Sequence, residues 1–162
     1  QGDVVITTIK CAGGETITLT LSTQLPRWYS RCFQVCGTKG MFDENSHSVC
    51  IGIEDQSWER NNMDKFLDEY DHPMWKRFVE KGTRGGHGGM DGLMVDAFLA
   101  AIREEKPMPV DVYDMATLIA ITPLSEMSID MGSAPVAFPD FANGKWMCRS
   151  VEEEWEYSLR NC

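Results

Sequence analysis

The sequence predicts an α+β fold in which an open antiparallel β-sheet carries α-helices on one face. Hydrophobic residues alternate with polar ones over residues 3–54 and recur at a helical period after residue 56. Strands that precede helices along the chain are typical of α+β proteins. The composition is that of a globular protein, because 43% of the 162 residues are hydrophobic and 25% are charged.

Four strands account for the first third of the chain. The clearest is Thr16–Ser22. Its Ile17, Leu19 and Leu21 side chains share one face and its hydroxyls share the other, so helices should cover the aliphatic face. The glycines of Ala12–Gly14 favour a hairpin loop before this strand. The predicted strands span residues 4–10, 16–22, 28–36 and 48–53, with a turn at 37–40.

Helical spacing dominates after residue 56. An amphipathic stripe over residues 63–79 is interrupted at His72 and Pro73, because proline lacks the backbone N–H that a helix interior needs. The most regular stripe predicts a helix over residues 90–104.

A second long helix is predicted over residues 111–131, with Asp111 as its N-cap. Pro123 should kink this helix, and Gly132 is the candidate C-cap residue. The acidic run at residues 152–154 predicts the start of a short last helix.

Charge and cysteine usage exclude several classes of protein. The chain carries 25 acidic and 15 basic residues, for a formal charge of −10, and shows no basic cluster. Nucleic acid and anionic membrane surfaces are therefore not expected partners. The six cysteines include no C-x-x-C pair, so we expect no metal site. Reduced thiols in a cytoplasmic protein are the favoured interpretation, although disulfides remain open.

A glycine-rich segment at residues 83–89 surrounds His87 and leads into a predicted helix. One interpretation is a site where the backbone approaches a polar ligand and His87 exchanges a proton or a hydrogen bond. The other is a glycine-rich connector with His87 bonded to the backbone. No G-K-[ST] follows and no strand leads into the segment, so it is neither a P-loop nor a dinucleotide-binding fingerprint.

Three further residues are candidates for binding. Tyr113 follows the predicted cap Asp111 and could present its hydroxyl to a ligand. Arg31 shares strand parity with apolar neighbours, so it either snorkels or faces a pocket. His47 lies near the start of the fourth predicted strand, where a surface histidine is the simpler interpretation.

Five motifs in this order resemble the C-terminal half of the glucose–fructose oxidoreductase / inositol dehydrogenase (Gfo/Idh/MocA) family. The resemblance covers residues 2–146 and is closest to the branch that contains glycoside hydrolase family 109. The motifs are Gly37-Thr38-Lys39-Gly40, Gly86-His87-Gly88-Gly89-Met90-Asp91, Asp111-Val112-Tyr113-Asp114-Met115-Ala116, Ile121-Thr122-Pro123-Leu124-Ser125-Glu126 and Phe138-Pro139-Asp140-Phe141.

The resemblance implies a two-domain parent protein with an N-terminal Rossmann domain that binds NAD(P). Residues 1–162 would form a single C-terminal domain for substrate binding and oligomerisation, and the start without Met fits a fragment. We expect no cofactor on this chain itself. The open sheet face, with its hydroxyl residues, is expected to build a homo-oligomer such as a dimer.

The resemblance also implies a sugar-like substrate, contacted by Arg31, His47, His87 and Tyr113, with His87 near Tyr113 in the pocket wall. No catalytic residue is assigned. In the glycosidase branch, tightly held NAD transiently oxidises the sugar. Its Tyr-x-x-His element is matched here at His47, with Glu44 in place of the tyrosine.

Three functions follow from these expectations. The first is the substrate domain of an NAD(P)-dependent oxidoreductase that acts on a sugar. The alternative is the C-terminal domain of an NAD-dependent, N-acetylgalactosaminidase-like glycoside hydrolase. The third is a stand-alone, non-catalytic binding or oligomerisation module. In each case we expect this chain alone to be inactive.

Overall fold

A computed structural model describes residues 3–52, 59–148 and 155–159. The chain divides into two compact units, one from residues 1–27 and 110–151 and the other from residues 28–109 and 152–162. The strands are β1 (Val4–Lys10), β2 (Thr16–Ser22), β3 (Gln34–Cys36), β4 (Gly40–Asp43) and β5 (Ser48–Ile51). The helices are α1 (Asp64–Tyr70), α2 (Pro73–Glu80), α3 (Met90–Glu104) and α4 (Val112–Asp130). Antiparallel sheets together with helices confirm the predicted α+β class. Of the helices just named, none is long and apolar enough to cross a membrane.

The first unit is built on the predicted hairpin of β1 and β2. Val5 pairs with Leu21 and Thr7 with Leu19, so these four side chains share one face of the ribbon. This face lies against α4, where Thr7 Oγ1 and Ser125 Oγ are 2.9 Å apart. Helix α4 therefore lies on the face that the alternation predicts but covers it only in part, because Leu19 and Leu21 remain 39% and 46% exposed.

Helix α4 begins and ends with local signals that the sequence shows. The Asp111 carboxylate accepts from the backbone N–H of Asp114, and the Asp114 side chain accepts from the N–H of Asp111, which makes a capping box. At the other end the N–H of Gly132 donates to Ile129 and the N–H of Ser133 donates to Ser128, the pattern of a Schellman motif. The predicted cap residues are confirmed, although Gly132 lies one position beyond the cap.

The second unit contains the three-stranded sheet β3–β4–β5. Strand β4 pairs antiparallel with both neighbours. Among the described residues the strands thus form two sheets, whereas one continuous sheet was expected. Strand β4 was not predicted at all.

The third predicted strand, at residues 28–36, shortens to β3 because side chains take its backbone donors. The N–H of Cys32 donates to Ser30 Oγ, and the N–H of Phe33 donates to Glu44 Oε2. Cys32 also has a φ of 50°, which no β-strand accommodates. The segment before Phe33 therefore leaves the ladder, while the carbonyl of Phe33 still accepts from the N–H of Glu44 at 2.9 Å. The fourth predicted strand is observed as β5, which ends at Ile51, and residue 53 lies outside the described ranges.

Helices α1 and α2 are separated at the predicted break. His72 caps α2, because its Nδ1 accepts from the N–H of Met74 at 3.1 Å and Pro73 occupies the first helical position. Trp75 and Phe78 on α2 stack with ring centroids 5.7 Å apart.

Helix α3 has the predicted bounds and supplies part of the core. Ala97 and Ala101 on this helix are buried. Phe78 on α2 and Trp155 near the C-terminus are buried too. All four belong to the second unit. The predicted start of the last helix, at residues 152–154, lies outside the described ranges, and residues 155–159 form turns.

Candidate functional site

The hairpin loop between β4 and β5, residues 44–47, gathers two of the predicted binding residues. Asp43 organises the loop: its Oδ2 accepts from Ser46 Oγ at 2.6 Å and its Oδ1 accepts from the N–H of Asn45 at 3.2 Å. The hydrogen bond from Ser46 lowers the pKa of the Asp43 carboxyl below its usual range. His47 closes the loop with a φ of 49°. The last residue of β4 therefore holds the loop through two hydrogen bonds.

Arg31 meets this loop through Glu44. Its Nε lies 3.8 Å from Glu44 Oε1, while Glu44 Oε2 accepts from the backbone N–H of Phe33 at 2.9 Å. The arginine side chain is 64% exposed and the glutamate 33%. Glu44 thus orients a guanidinium that still faces solvent and can donate hydrogen bonds to a ligand.

His47 lies three residues further along the same loop. Its Nε2 is 3.0 Å from Asp64 Oδ1, at the first residue of α1. The carbonyl of His47 accepts from the N–H of Met63, which joins the loop to the start of this helix. A carboxylate on one ring nitrogen orients the imidazole and leaves Nδ1 for a ligand.

Asn62 fixes the position of α1 relative to the sheet. This residue is 4% exposed, and its side-chain amide pairs with Val49 twice, accepting from the N–H at 2.8 Å and donating to the carbonyl at 2.9 Å. The amide therefore replaces a neighbouring strand at β5. Because α1 carries Asp64, Asn62 also positions the partner of His47.

His87 lies in a different part of the second unit, on a 3₁₀ turn over His87–Gly89 that leads into α3. Its Nδ1 is 3.0 Å from both carboxylate oxygens of Asp91, and the side chain is 76% exposed. The hydrogen-bond partner of His87 is thus a carboxylate, whereas a glycine-rich connector was expected to bond His87 to the backbone. The imidazole remains accessible to a ligand.

Close approach of the backbone requires glycine at two positions near His87, Gly85 before it and Gly92 in the first turn of α3. A Cβ on Gly85 would lie 2.6 Å from the backbone nitrogen of Gly92, and one on Gly86 would lie 2.6 Å from Asp91 Oδ2. A Cβ on Gly92 would lie 2.1 Å from the carbonyl oxygen of Arg84. The loop folds tightly onto the first turn of α3, and this close approach accounts for Gly85 and Gly92 without a ligand.

Tyr113 lies in the first turn of α4 and is 46% exposed. Its carbonyl accepts from Thr117 Oγ1 at 2.8 Å. Tyr113 belongs to the first unit and His87 to the second, so their predicted pairing stays a prediction. The first unit also contains a cleft of about 380 Å³ between the hairpin and α4, and Glu126 and Asp130 are among its lining residues.

The sequence alone does not reveal the residues that position Arg31 and His47 at the loop of residues 44–47. In the sequence, Glu44 stands out only as a departure from a motif, and nothing marks Asp64 or Asn62. All three act across the fold, so no local pattern points to them. Within residues 3–52, 59–148 and 155–159, no group of three or more His, Cys, Asp or Glu side chains could hold a metal ion.

Comparison with known proteins finds a family and several relatives. Residues 1–148 match the family model described as glycosyl hydrolase 109, C-terminal domain. The chain is 45% identical over 148 residues to a glycosyl hydrolase family 109 protein of Stenotrophomonas maltophilia, with 91% of this chain and 33% of the relative covered. It is 43% identical over 148 residues to an alpha-N-acetylgalactosaminidase of Tannerella forsythia, with 91% and 32% covered.

The chain spans about a third of the length of these relatives. Their names favour the glycoside-hydrolase alternative over the sugar oxidoreductase that was the first expectation.

Proposed function

Because this chain belongs to the glycosyl hydrolase 109 C-terminal domain family, we propose that it is the sugar-binding part of a glycoside hydrolase that acts on N-acetylgalactosaminides. The observation that carries this proposal is the 43% identity, over 148 residues, to a protein named alpha-N-acetylgalactosaminidase. The substrate, the activity and the partners of the whole protein are all part of the proposal.

The loop of residues 44–47 supports a role in sugar binding. A sugar ring presents hydroxyls that both donate and accept hydrogen bonds, so its site needs fixed donors and acceptors. Arg31 offers guanidinium donors held by Glu44, and His47 offers a ring nitrogen oriented by Asp64. We assign Arg31 to hydroxyl or N-acetyl oxygens of the substrate, His47 to a substrate hydroxyl, and Glu44 and Asp64 to positioning these two residues.

The family resemblance also implies a nicotinamide cofactor, and the described residues do not fit one. The glycine-rich segment at residues 83–89 follows helix α2, whereas a dinucleotide fingerprint follows a strand. Within this segment a Cβ on Gly85 would lie 2.6 Å from the backbone nitrogen of Gly92, so packing against α3 explains this glycine. We therefore propose that any NAD(P) of the parent protein is held outside this chain.

Assays of the full-length parent protein test the proposed function. The wild type should release the aglycone from an aryl α-N-acetylgalactosaminide. Arg31→Ala should lower kcat/KM by about 10-fold or more, because a substrate contact is lost. Arg103→Ala, in the last turn of α3, is the matched control and should leave kcat/KM unchanged. Oxidation of free sugars without glycoside cleavage would contradict the proposal and favour the sugar oxidoreductase instead.

A further inference from the structure

Two aromatic side chains beside Arg31 are almost completely exposed. Trp28 is 94% exposed and Tyr29 is 90% exposed, the highest values among the large hydrophobic side chains of the described residues. Neither ring stacks on another aromatic ring in that part of the chain. Large apolar faces left in water at adjacent positions are typical of surfaces that bind something.

The segment that carries these rings is fastened to the hairpin loop of residues 44–47. Ser30 Oγ donates to Asn45 Oδ1 at 2.7 Å, and the N–H of Cys32 donates to Ser30 Oγ at 2.9 Å. Arg31 adds the ion pair with Glu44. Trp28 and Tyr29 directly precede these anchored residues, so their backbone lies beside the loop of residues 44–47.

The chemistry of the two neighbouring surfaces matches one class of ligand. A pyranose ring has an apolar C–H face and a rim of hydroxyls, so it is bound by an aromatic face beside hydrogen-bonding groups. Trp28 and Tyr29 supply the faces, while Arg31, positioned by Glu44, supplies hydrogen-bond donors. Opposite charges paired next to aromatic rings suit a neutral polyol better than an ion.

We propose that Trp28 and Tyr29 form a platform for a second sugar residue of an extended glycan, adjacent to the residue that Arg31 contacts. This inference rests on the proposed function. The platform would make the parent enzyme favour oligosaccharide substrates over glycosides with a small aglycone.

The test compares two substrates in the full-length parent enzyme, a methyl α-N-acetylgalactosaminide and a trisaccharide that ends in N-acetylgalactosamine. Trp28→Ala and Tyr29→Ala should lower the ratio of kcat/KM for the trisaccharide to that for the methyl glycoside by about 10-fold or more. Trp28→Phe, which keeps a ring face, should retain most of the ratio, and Trp28→Leu should not. Tyr70→Ala removes an aromatic ring that is 62% exposed on α1 and should leave the ratio unchanged.

An unchanged ratio in Trp28→Ala and Tyr29→Ala would overturn the platform. Equal ratios for Trp28→Leu and Trp28→Phe would also overturn it, because any apolar side chain would then serve as well as an aromatic ring. A change of oligomeric state in Trp28→Ala, measured by sedimentation, would assign the rings to a second copy of the protein and also overturn it.

Failure of the proposed function gives a different result, in which the wild type cleaves neither glycoside. The platform is then tested by binding, through tryptophan fluorescence during titration with the trisaccharide. A saturable change in emission that Trp28→Leu abolishes would support it. Identical titrations of the wild type and Trp28→Leu would overturn it.

Discussion

Arg31 Nε lies 3.8 Å from Glu44 Oε1, and the second oxygen of the same carboxylate holds the backbone N–H of Phe33 at 2.9 Å. Glu44 therefore has two roles, one toward the loop and one toward the arginine. It stands where the resembling branch has the tyrosine of its Tyr-x-x-His element. The departure from the motif thus has a structural use in this chain.

Substitutions at Glu44 should separate its two roles. Glu44→Gln keeps an oxygen for Phe33 but removes the charge beside Arg31, so kcat/KM of the parent enzyme should fall by roughly 3- to 10-fold at an almost unchanged melting temperature. Glu44→Ala also leaves the N–H of Phe33 without this acceptor, and the free energy of unfolding should fall by about 1 kcal/mol. Kinetics and thermal unfolding measure both effects. Glu69→Gln, on α1, is the control, and equal kinetics for Glu44→Gln and wild type would show that Arg31 needs no partner.

His87 offers a test between its two interpretations. If the imidazole contacts substrate, His87→Ala in the parent enzyme should lower kcat/KM by about 10-fold, or ~1.4 kcal/mol, and leave the fold intact. If it serves only as the partner of Asp91, the melting temperature should fall and the kinetics should not change. Measuring both quantities on one variant decides between the two outcomes. Asp91→Ala is the companion variant, because it removes the partner and keeps the ring.

The carboxyl of Asp43 should make the loop sensitive to acid. Its pKa is lowered from an ordinary value of 3.8, first by the hydrogen bond from Ser46. A carboxyl whose pKa is lower in the folded than in the unfolded state stabilises the fold fully at pH values above its unfolded-state pKa. This stabilisation is lost as the pH falls through its folded-state pKa. Ser46→Ala should therefore raise the pKa of Asp43, as followed by NMR titration of its carboxyl carbon. An unchanged pKa in Ser46→Ala would assign the shift to the backbone donors of the loop.

The end of α3 contains a position that should tolerate glycine better than its present residue. Glu105 has a φ of 53°. The N–H of the next residue, Lys106, donates to the carbonyl of Ala101 in the last turn of α3. An L-residue is strained in this left-handed conformation, so Glu105→Gly should raise the free energy of unfolding by about 0.5–1 kcal/mol. Gly132→Ala is the mirror experiment at a φ of 74°, with no atom near the new Cβ, and should lower it by about 1 kcal/mol. Urea unfolding of both variants checks the opposite signs, and a destabilised Glu105→Gly would show that the glutamate side chain matters more than its backbone.

Much of the helical structure could be predicted because its signals are local. Asp111 and the glycine at 132 mark the ends of α4 through hydrogen bonds to residues at most five positions away. The stripe on α3 likewise repeats within its own sequence. Such elements follow from propensity and capping alone.

The second sheet was harder to predict because side chains decide where its strands begin. Ser30 and Glu44 take backbone donors that a period-two pattern assigns to a ladder. Strand β4 follows a turn and has no long alternation of its own. In the candidate site, the resemblance indicated Arg31 and His47, but their partners Glu44 and Asp64 are contacts that only the folded chain reveals.

The location of the buried side chains has a consequence for hydrogen exchange. The four buried hydrophobic residues of the described chain, Phe78, Ala97, Ala101 and Trp155, all belong to the second unit. Backbone amides are protected in proportion to the free energy needed to open the structure around them. In deuterium oxide, the amides of α2 and α3 should therefore retain their protons longest. Those of β1 and β2, which form a two-stranded ribbon with an exposed outer face, should exchange early.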